Sequence, residues 1–264
     1  MASIKGRCPW RIGATSFVIP ADIEENVRYL ADKVDDVQLL FFESAGQSRM
    51  PQQVDVSWLR EVAACHNLSY TVHLPTDIQP GSGSEVDRQR AVAEIVHFMD
   101  VLSPIEPLRY DLHLAWPQGL ILPAWLENIA HFLDALKKNI GQESGRVAIE
   151  NIDYPFHHVR SLILQHGFDL CLDIGHAVRF NDDVEQVLND IPGTTHIHYH
   201  GVKEGRDHQP LGMEQGPLTA RLGELFRAGD FHGVVTLEVY SSHDLQASLQ
   251  HIDGIWTRSA QEKK

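Results

Sequence analysis

Histidine and acidic side chains recur at the ends of short apolar segments in this sequence of 264 residues. In the stretch FDLCLDIGH the apolar residues stop at Asp173, and His176 follows three residues later. A mixture of imidazole and carboxylate ligands suits Zn²⁺, Mn²⁺ or Fe²⁺, whereas Ca²⁺ and Mg²⁺ prefer oxygen ligands. The pattern therefore predicts metal-dependent chemistry, if the fold brings the ends of the apolar segments together.

Seven consecutive apolar segments carry such a side chain at or near their ends. They supply Glu43, His73, His113, Glu150, Asp173, His198 with His200, and Glu238. A single histidine is not diagnostic, because the chain has 16 and histidines are commonly half-buried in proteins. Glu150 in VAIEN and Glu238 in TLEVY are stronger indications, since an unpaired carboxylate in an apolar strand is costly to desolvate. Buried salt bridges are the alternative to metal ions, but few cations follow these segments.

The elements that must position these residues alternate between short apolar segments and longer amphipathic ones. Eight strands are predicted, at residues 11–18, 37–42, 69–74, 109–115, 146–151, 169–173, 195–199 and 234–240. Eight strands alternating with helices over about 250 residues are typical of a (β/α)8 barrel. We therefore expect residues 1–264 to form one α/β barrel domain. A doubly wound open sheet is the alternative, but the first turn, Gly13-Ala14-Thr15, lacks the glycine-rich pattern of that fold.

Helices are predicted from apolar residues at helical spacing and from their start signals. The apolar sets are Ile23, Val27 and Leu30, and Ile129, Leu133 and Leu136. Pro123 and Pro217 are expected in first turns, and Asp182 and Asp244 as N-caps. The loops SAGQSRMPQQ and PTDIQPGSGS, after strands two and three, are long enough to form a rim over a substrate.

In a (β/α)8 barrel the carboxyl ends of all strands meet at one face, where the chemistry lies. The loop after strand seven adds Lys203, Arg206, Asp207 and His208 to that face. This loop is either a solvated run of charges or a contact region for a substrate phosphate or sugar oxygen, which Lys and Arg bind well.

Composition narrows the class of partner. The formal charge of −14 repels phosphate backbones and disfavours nucleic acid, although bound metal ions can reverse the local field for a small anionic substrate. Three cysteines, Cys8, Cys65 and Cys171, without a CxxC pair, predict buried or half-buried thiols in a reducing compartment. The N-terminus lacks the apolar core of a signal peptide and no segment is long enough to span a bilayer, so a cytoplasmic protein is expected.

The strand-end residues resemble, in order and over nearly the whole chain, those of the xylose-isomerase-like barrel superfamily. This superfamily includes endonuclease IV-type apurinic-site nucleases and many sugar isomerases and epimerases. The ligands that the resemblance implies are, for a first divalent ion, His73, His113 and Glu150; for a second, Glu150, Asp173, His198 and Glu238; and, for a third, His176 and His208. Two bound ions of Zn, Mn or Fe are expected, with a third depending on the loop after strand seven.

That loop departs from the endonuclease branch. Where the branch has Asp-Arg-His before the last metal histidine, this chain reads Arg206-Asp207-His208, so the aspartate is one residue out of register. The Gly-x-Gly that follows is replaced by GMEQG at residues 212–216. Either Asp207 or His200 could replace the missing family ligand.

A narrower resemblance covers residues 12–43, IGATSFVIPADIEENVRYLADKVDDVQLLFFE. This stretch is similar to the cobamide-remodelling phosphodiesterases, bacterial enzymes that act on the nucleotide loop of vitamin B12-type corrinoids. The resemblance implies hydrolysis at the phosphate-ribose linkage, which leaves a cobinamide phosphate and releases the lower-ligand riboside. A small molecule, corrinoid or phosphorylated sugar, is then the expected partner.

The first functional hypothesis is metal-dependent phosphoester hydrolysis, in which two divalent ions activate a water molecule and polarise the phosphoryl group. The residues assigned to catalysis are Glu150, Asp173, His176 and Glu238, and those assigned to substrate contacts are Glu43, Lys203 and Arg206. A sugar isomerase or epimerase would need one ion and two glutamates that shuttle protons. An abasic-site nuclease and a catalytically inactive corrinoid- or metal-binding module are the remaining alternatives.

Overall fold

Eight parallel strands close into a barrel, as predicted, and the open-sheet alternative is wrong. The computed structural model describes residues 3–44, 51–154, 156–180, 184–212, 215–228 and 231–261. The barrel strands follow each other in the spatial order β1-β10-β7-β6-β5-β4-β3-β2. They are β1 Arg11–Thr15, β2 Asp36–Leu40, β3 Ser69–His73, β4 Tyr110–His113, β5 Val147–Glu150, β6 Asp169–Asp173, β7 His196–Tyr199 and β10 Val234–Leu237.

All eight predicted strands exist, but several end earlier than the sequence pattern suggests. The first was predicted to reach residue 18 and ends at Thr15, and the last was predicted to reach residue 240 and ends at Leu237. The apolar pattern continues past these ends because the following residues, such as Phe17 and Tyr240, are aromatic although they are exposed. A short hairpin, β8 Gly201–Lys203 with β9 Arg206–Gln209, was not predicted.

The described residues form nine α-helices, eight of them between strands and the last after β10. They are α1 Ile23–Leu30, α2 Val56–His66, α3 Glu85–Leu102, α4 Leu122–Ile140, α5 His157–Gln165, α6 Ile174–Arg179, α7 Val184–Asn189, α8 Gly216–Ala228 and α9 Ser242–Gln261. Both apolar sets predicted on α1 and α4 are buried.

The helix start signals are only partly correct. Pro123 and Pro217 each occupy the second residue of their helix, as predicted. The N-cap prediction for Asp244 is wrong, because α9 begins two residues earlier and the Ser241 hydroxyl accepts a hydrogen bond from the Asp244 backbone N–H at 3.0 Å. The Asp244 carboxylate in turn accepts from that hydroxyl at 2.7 Å, so serine is the capping residue. Asp182 lies outside the described residues.

The chain groups into two compact units, and the boundaries between them fall within the sequence of helix α2 and of strands β2, β3 and β6. The first unit comprises Met1–Gln38, Val62–Ser69 and Leu172–Lys264, and the second comprises Leu39–Glu61 and Tyr70–Cys171. Each has its own aromatic packing outside the strands. In the first, Trp10 packs edge-on against Phe226 of α8 and Trp256 of α9, at 4.8 and 4.3 Å between ring centroids.

In the second unit, Trp125 of α4 fixes the segment that follows β4. Its indole N–H donates to the Ala115 carbonyl at 3.0 Å, and its ring stacks on Trp116 with 4.9 Å between ring centroids. Gly81 allows this approach, since a Cβ there would lie 2.3 Å from the indole nitrogen. The segment directly after His113 is therefore held by contacts with the buried Trp125.

The three cysteines are free thiols, but their burial differs from the prediction. Cys171 is buried and Cys8 is partly buried, whereas Cys65 is exposed. The helix α2 that carries Cys65 buries only Leu59 among its residues, so most of its surface faces solvent. No helix of the described residues combines the length and the apolar character needed to cross a membrane.

Candidate metal centre

A first cluster of possible ligands, His73, His113 and Glu150, lies at the ends of three neighbouring strands. Each residue is the last of its strand, in β3, β4 and β5. The Glu150 carboxylate oxygen Oε2 lies 3.5 Å from His73 Nε2 and 3.2 Å from His113 Nε2. Parallel pairing places His113 directly beside Glu150, so the backbone of the sheet itself brings the donors together.

Hydrogen bonds orient this first cluster. The Nδ1 atom of His73 lies 2.9 Å from the Leu74 carbonyl, which can accept its proton and leave Nε2 with a lone pair toward Glu150. The His113 ring meets the His73 ring edge-on, with 4.8 Å between centroids. The Tyr154 hydroxyl donates to the Glu150 carbonyl oxygen at 2.7 Å. A hydrogen bond through the second ring nitrogen, like that of His73 to the Leu74 carbonyl, is typical of histidines that bind metals.

A second cluster contains Glu150, Asp173, His198 and Glu238, whose donor atoms lie within 4.8 Å of one another. All four residues are buried. The Nδ1 atom of His198 is 3.3 Å from Glu238 Oε1, and its Nε2 atom lies 2.7 Å from the buried side-chain amide of Gln38. The amide contact fixes the His198 ring, because an imidazole held at one nitrogen presents the other toward the cluster.

A third cluster, His176, His200 and His208, depends on elements other than barrel strands. His176 is on α6, whose first turn is capped by the Asp173 carboxylate accepting from the His176 N–H at 2.7 Å. His208 is on β9, and its Nδ1 lies 3.1 Å from the Glu238 carbonyl. His200 follows β7, and its Nδ1 lies 3.0 Å from the backbone N of His208. The donor atoms of the three rings lie within 4.8 Å of one another.

Two backbone features make the third cluster possible. A Cβ at Gly175 would lie 2.1 Å from Cε1 of His200, so only glycine leaves room for that ring. His208 has a backbone φ of 51°, in the left-handed region that residues other than glycine adopt uncommonly. Strained residues of this kind concentrate at functional sites.

The spacing of several donors is compatible with bound ions. Two ligands at about 2.0–2.1 Å from a tetrahedral ion are separated by roughly 3.3 Å, whereas charge-assisted hydrogen bonds are about 2.7–2.9 Å long. The His–carboxylate separations are 3.2 Å for His113–Glu150, which is also within hydrogen-bond distance, and 3.3 Å for His198–Glu238. The buried Oε1 of Glu238 makes no hydrogen bond to the described residues. These residues therefore fit divalent ions.

The electrostatics differ between two histidines of the third cluster. Burial alone lowers the pKa of His200, but the charge of Asp173 and a hydrogen bond to it outweigh burial and raise the pKa above its ordinary value. For His208 burial is again the largest influence on the pKa. The charge of Glu238 does not compensate for it, so the pKa is lowered. A neutral His208 at neutral pH is suited to bind a metal ion.

The structure brings together the predicted metal ligands but not the predicted substrate contacts. Lys203 and Arg206 are exposed on the β8–β9 hairpin, where the Arg206 guanidinium lies 3.6 Å from the carboxylate of Glu204. Glu43 is exposed after β2. Of the two loops predicted as a rim, the first lies partly outside the described residues, and the Ser44 hydroxyl joins it to Asp77 of the second at 3.0 Å.

Sequence reasoning missed Arg179 and the role of Gly175. Arg179 ends α6 and forms an ion pair with Asp207. The same Asp207 oxygen, Oδ2, also lies 3.8 Å from His176 Nε2 and 4.0 Å from His208 Nε2, while His200 forms a closer group with these two histidines. A glycine directly before His176 is the only sequence signal for the close approach of His200, and the spacing alone does not identify the partner ring.

A closed barrel of eight parallel strands with metal-competent side chains at the strand ends defines the chain as a TIM barrel with a candidate metal centre. Residues 30–260 match the family of xylose isomerase-like TIM barrels. Because the match covers most of the sequence, the chain belongs to that family. Comparison with curated protein sequences gives no match.

Solved structures share this fold at low sequence identity. A D-tagatose 3-epimerase-like protein is 17% identical with a TM-score of 0.75, over 95% of this chain and 99% of its own. The IOLI protein, solved with a bound zinc atom, is 12% identical with a TM-score of 0.74, over 94% and 98%. An AP endonuclease, family 2, from Brucella melitensis is 16% identical with a TM-score of 0.66, over 88% and 93%.

Proposed function

We propose that the protein is a metal-dependent phosphodiesterase that hydrolyses the nucleotide loop of corrinoids. One observation carries the reaction type: two donor clusters lie at the ends of the barrel strands and a third is formed by α6, β9 and the residue after β7, with six histidines among the members of the three. A single Lewis-acidic ion needs only the second cluster. The additional imidazoles of the first and third clusters support a multi-metal site, as phosphoester hydrolysis commonly uses.

The chain's own residues would hold two ions in the first and second clusters, with Glu150 common to both, and a third ion in the third cluster. Bound divalent ions supply a water molecule of lowered pKa and polarise the phosphoryl oxygens. Glu150, Asp173 and Glu238 are buried, which keeps bulk water away from the carboxylates and strengthens their interactions. His73 and His208 are oriented through backbone carbonyls, so their second nitrogens can face the ions.

The substrate rests on the resemblance of residues 12–43 to the cobamide-remodelling phosphodiesterases. In the proposed reaction water adds across the bond between phosphorus and the ribose oxygen. The hydroxyl remains on phosphorus, which leaves a cobinamide phosphate, and the proton goes to the ribose oxygen of the released riboside. The formal charge of −14 supports a small molecule over a nucleic acid as the partner.

A sugar epimerase is the second candidate, because the second cluster contains two glutamates, Glu150 and Glu238. These could exchange protons with a sugar bound to one ion. The structural likeness to a D-tagatose 3-epimerase-like protein is compatible with this alternative. Abasic-site cleavage, the activity named for the Brucella protein, is disfavoured by the net charge and by the Arg206-Asp207 order.

One incubation distinguishes these reactions. Metal-loaded protein is mixed separately with cobalamin, pseudocobalamin, abasic DNA and a panel of ketoses, and the products are identified by mass. The proposal predicts cobinamide phosphate from a corrinoid and no change in the ketoses. Elemental analysis gives an independent result: two or three ions per chain are expected for hydrolysis, and one for epimerisation.

Glu150→Gln is expected to lower turnover by about 10³-fold, because metal ions supply several kcal/mol of transition-state stabilisation and each 1.36 kcal/mol is tenfold. Gln keeps the size of the side chain, so circular dichroism and melting temperature should stay close to those of the unmodified protein. Glu204→Gln is the matched control, since Glu204 is exposed at the hairpin tip. Full activity of Glu150→Gln, or of metal-stripped protein, would disprove the metal mechanism.

A further inference from the structure

Three large aromatic side chains are exposed near the third cluster. Phe17 follows β1, Phe180 follows α6 and Tyr240 follows β10, and their exposed fractions are 46%, 42% and 39%. An aromatic side chain gains most of its stabilising contribution from burial, so exposed rings that lie near one another mark a binding surface. None of the three is used by the metal clusters.

These rings form a continuous row with two histidines of the third cluster. The centroid distances along it are 5.8 Å for Phe180–His176, 5.5 Å for His176–His208, 4.7 Å for His208–Tyr240 and 6.2 Å for Tyr240–Phe17. We call this row the aromatic band. Each step lies within the range of ring–ring contacts, so the band passes directly from the imidazoles to exposed surface on both sides.

We propose that the aromatic band binds the planar heteroaromatic base of the substrate's nucleoside part. This inference rests on the proposed function and adds a determinant of substrate choice to it. A phosphate at the clusters would leave the sugar and base of the same molecule beside the band, since His208 belongs to both the third cluster and the band.

The chemistry of the band favours a flat ring over other apolar groups. Aromatic side chains bind bases by stacking, which tolerates different bases because every base has a π face. The ring planes of Phe17 and Tyr240 are nearly perpendicular, with an interplanar angle of 78°, so the two rings offer stacking faces in two directions. The Arg179 guanidinium lies 4.9 Å from the Phe180 ring centre, which adds a cationic group at the other end.

Charge limits the size of the ligand. The formal charge of −14 opposes binding of a polynucleotide, whose backbone carries many phosphates. A ligand with one phosphate, one sugar and one base has only one phosphate group for the protein's negative charge to repel. The band therefore points to a mononucleotide-like group and not to a nucleic-acid strand.

Equilibrium binding of adenosine 5′-monophosphate and ribose 5-phosphate to metal-loaded protein tests the band. The two probes share phosphate and ribose and differ only by the base. Adenosine monophosphate is expected to bind about tenfold more tightly, the effect of one stacked base. In Phe17→Ala and Tyr240→Ala this preference should fall to about onefold, whereas Tyr240→Phe should keep it. Ribose 5-phosphate affinity and metal content should not change.

Leu164→Ala is the matched control, because Leu164 is 42% exposed on α5 and lies outside the band. Equal binding of both probes by the unmodified protein would overturn the inference. So would a loss of affinity for both probes in Tyr240→Ala, which would indicate a structural role. The binding measurement needs no turnover. If the protein prefers adenosine monophosphate but hydrolyses no corrinoid, the inference about the aromatic band is supported and the proposed reaction is refuted.

Discussion

The first and third clusters are built in different ways from the same residue type. His73 and His113 end adjacent barrel strands, and their positions follow from the parallel pairing of β3, β4 and β5. His176 and His208 lie on a six-residue helix and on a short hairpin strand. The first cluster therefore inherits the rigidity of the sheet, whereas the third depends on local devices.

Those devices are the glycine contact and the left-handed backbone of the hairpin. The His200 ring needs the space above Gly175, and His208 is held at a positive φ that costs on the order of 1–3 kcal/mol in the folded state. Since a strained conformation persists only where surrounding contacts enforce it, the third cluster is the easier one to disturb. Breaking each cluster separately tests this difference.

The largest effect is expected from His113→Ala. It removes a donor from the first cluster, and the loss of affinity for one ion should exceed about 10²-fold, because even changes outside the ligand set cost 10–100-fold. Elemental analysis and competition with a chelator would measure it. His97→Ala, an exposed histidine on α3, is the control. Unchanged metal content in His113→Ala would mean that the first cluster binds no ion.

A smaller effect is expected from Gly175→Ala, which changes no ligand. The added methyl group would meet the His200 ring at 2.1 Å and force it out of the third cluster. Affinity for one ion should fall about 10–100-fold, as for other supporting residues, while the first cluster keeps its ion. The control is Gly216→Ala, where an added Cβ has no neighbour within 4 Å. If Gly175→Ala binds all ions normally, His200 is not a ligand.

The smallest effect is a difference in titration within the third cluster. In metal-stripped protein the pKa of His200 should lie above its ordinary value, because the charge of Asp173 and a hydrogen bond to it together outweigh burial, and the pKa of His208 should lie below its ordinary value, because burial dominates. As the pH falls, His200 should therefore take up a proton before His208. Nitrogen-15 chemical shifts of the two rings measure this directly. The reverse order would show that Asp173 does not control the cluster.

The contrast also explains how much the sequence could predict. The eight strands, and the barrel they form, follow from alternation of apolar and amphipathic segments, and strand-end positions then predict a shared metal site. The grouping of His73, His113 and Glu150 within that site comes from the family resemblance. Periodicity cannot indicate where a strand stops when exposed aromatics such as Phe17 extend the apolar pattern. That is why the predicted strands were too long.

The third cluster could not be assembled from the sequence for a physical reason. The approach of His200 to Gly175 is a contact between segments that periodicity does not relate. The β8–β9 hairpin turns at Glu204 and Gly205, both at positive φ, within a run that reads as a solvated charged loop. The ion pair of Arg179 with Asp207 is equally non-local, so the sequence left open whether Asp207 or His200 joins the histidines.

Two structural requirements oppose each other at His208. Its backbone φ of 51° favours glycine, whereas the third cluster requires an imidazole. A relative with glycine at position 208 beside a histidine at position 176 would therefore adopt the hairpin backbone at lower cost but lack one donor of the third cluster.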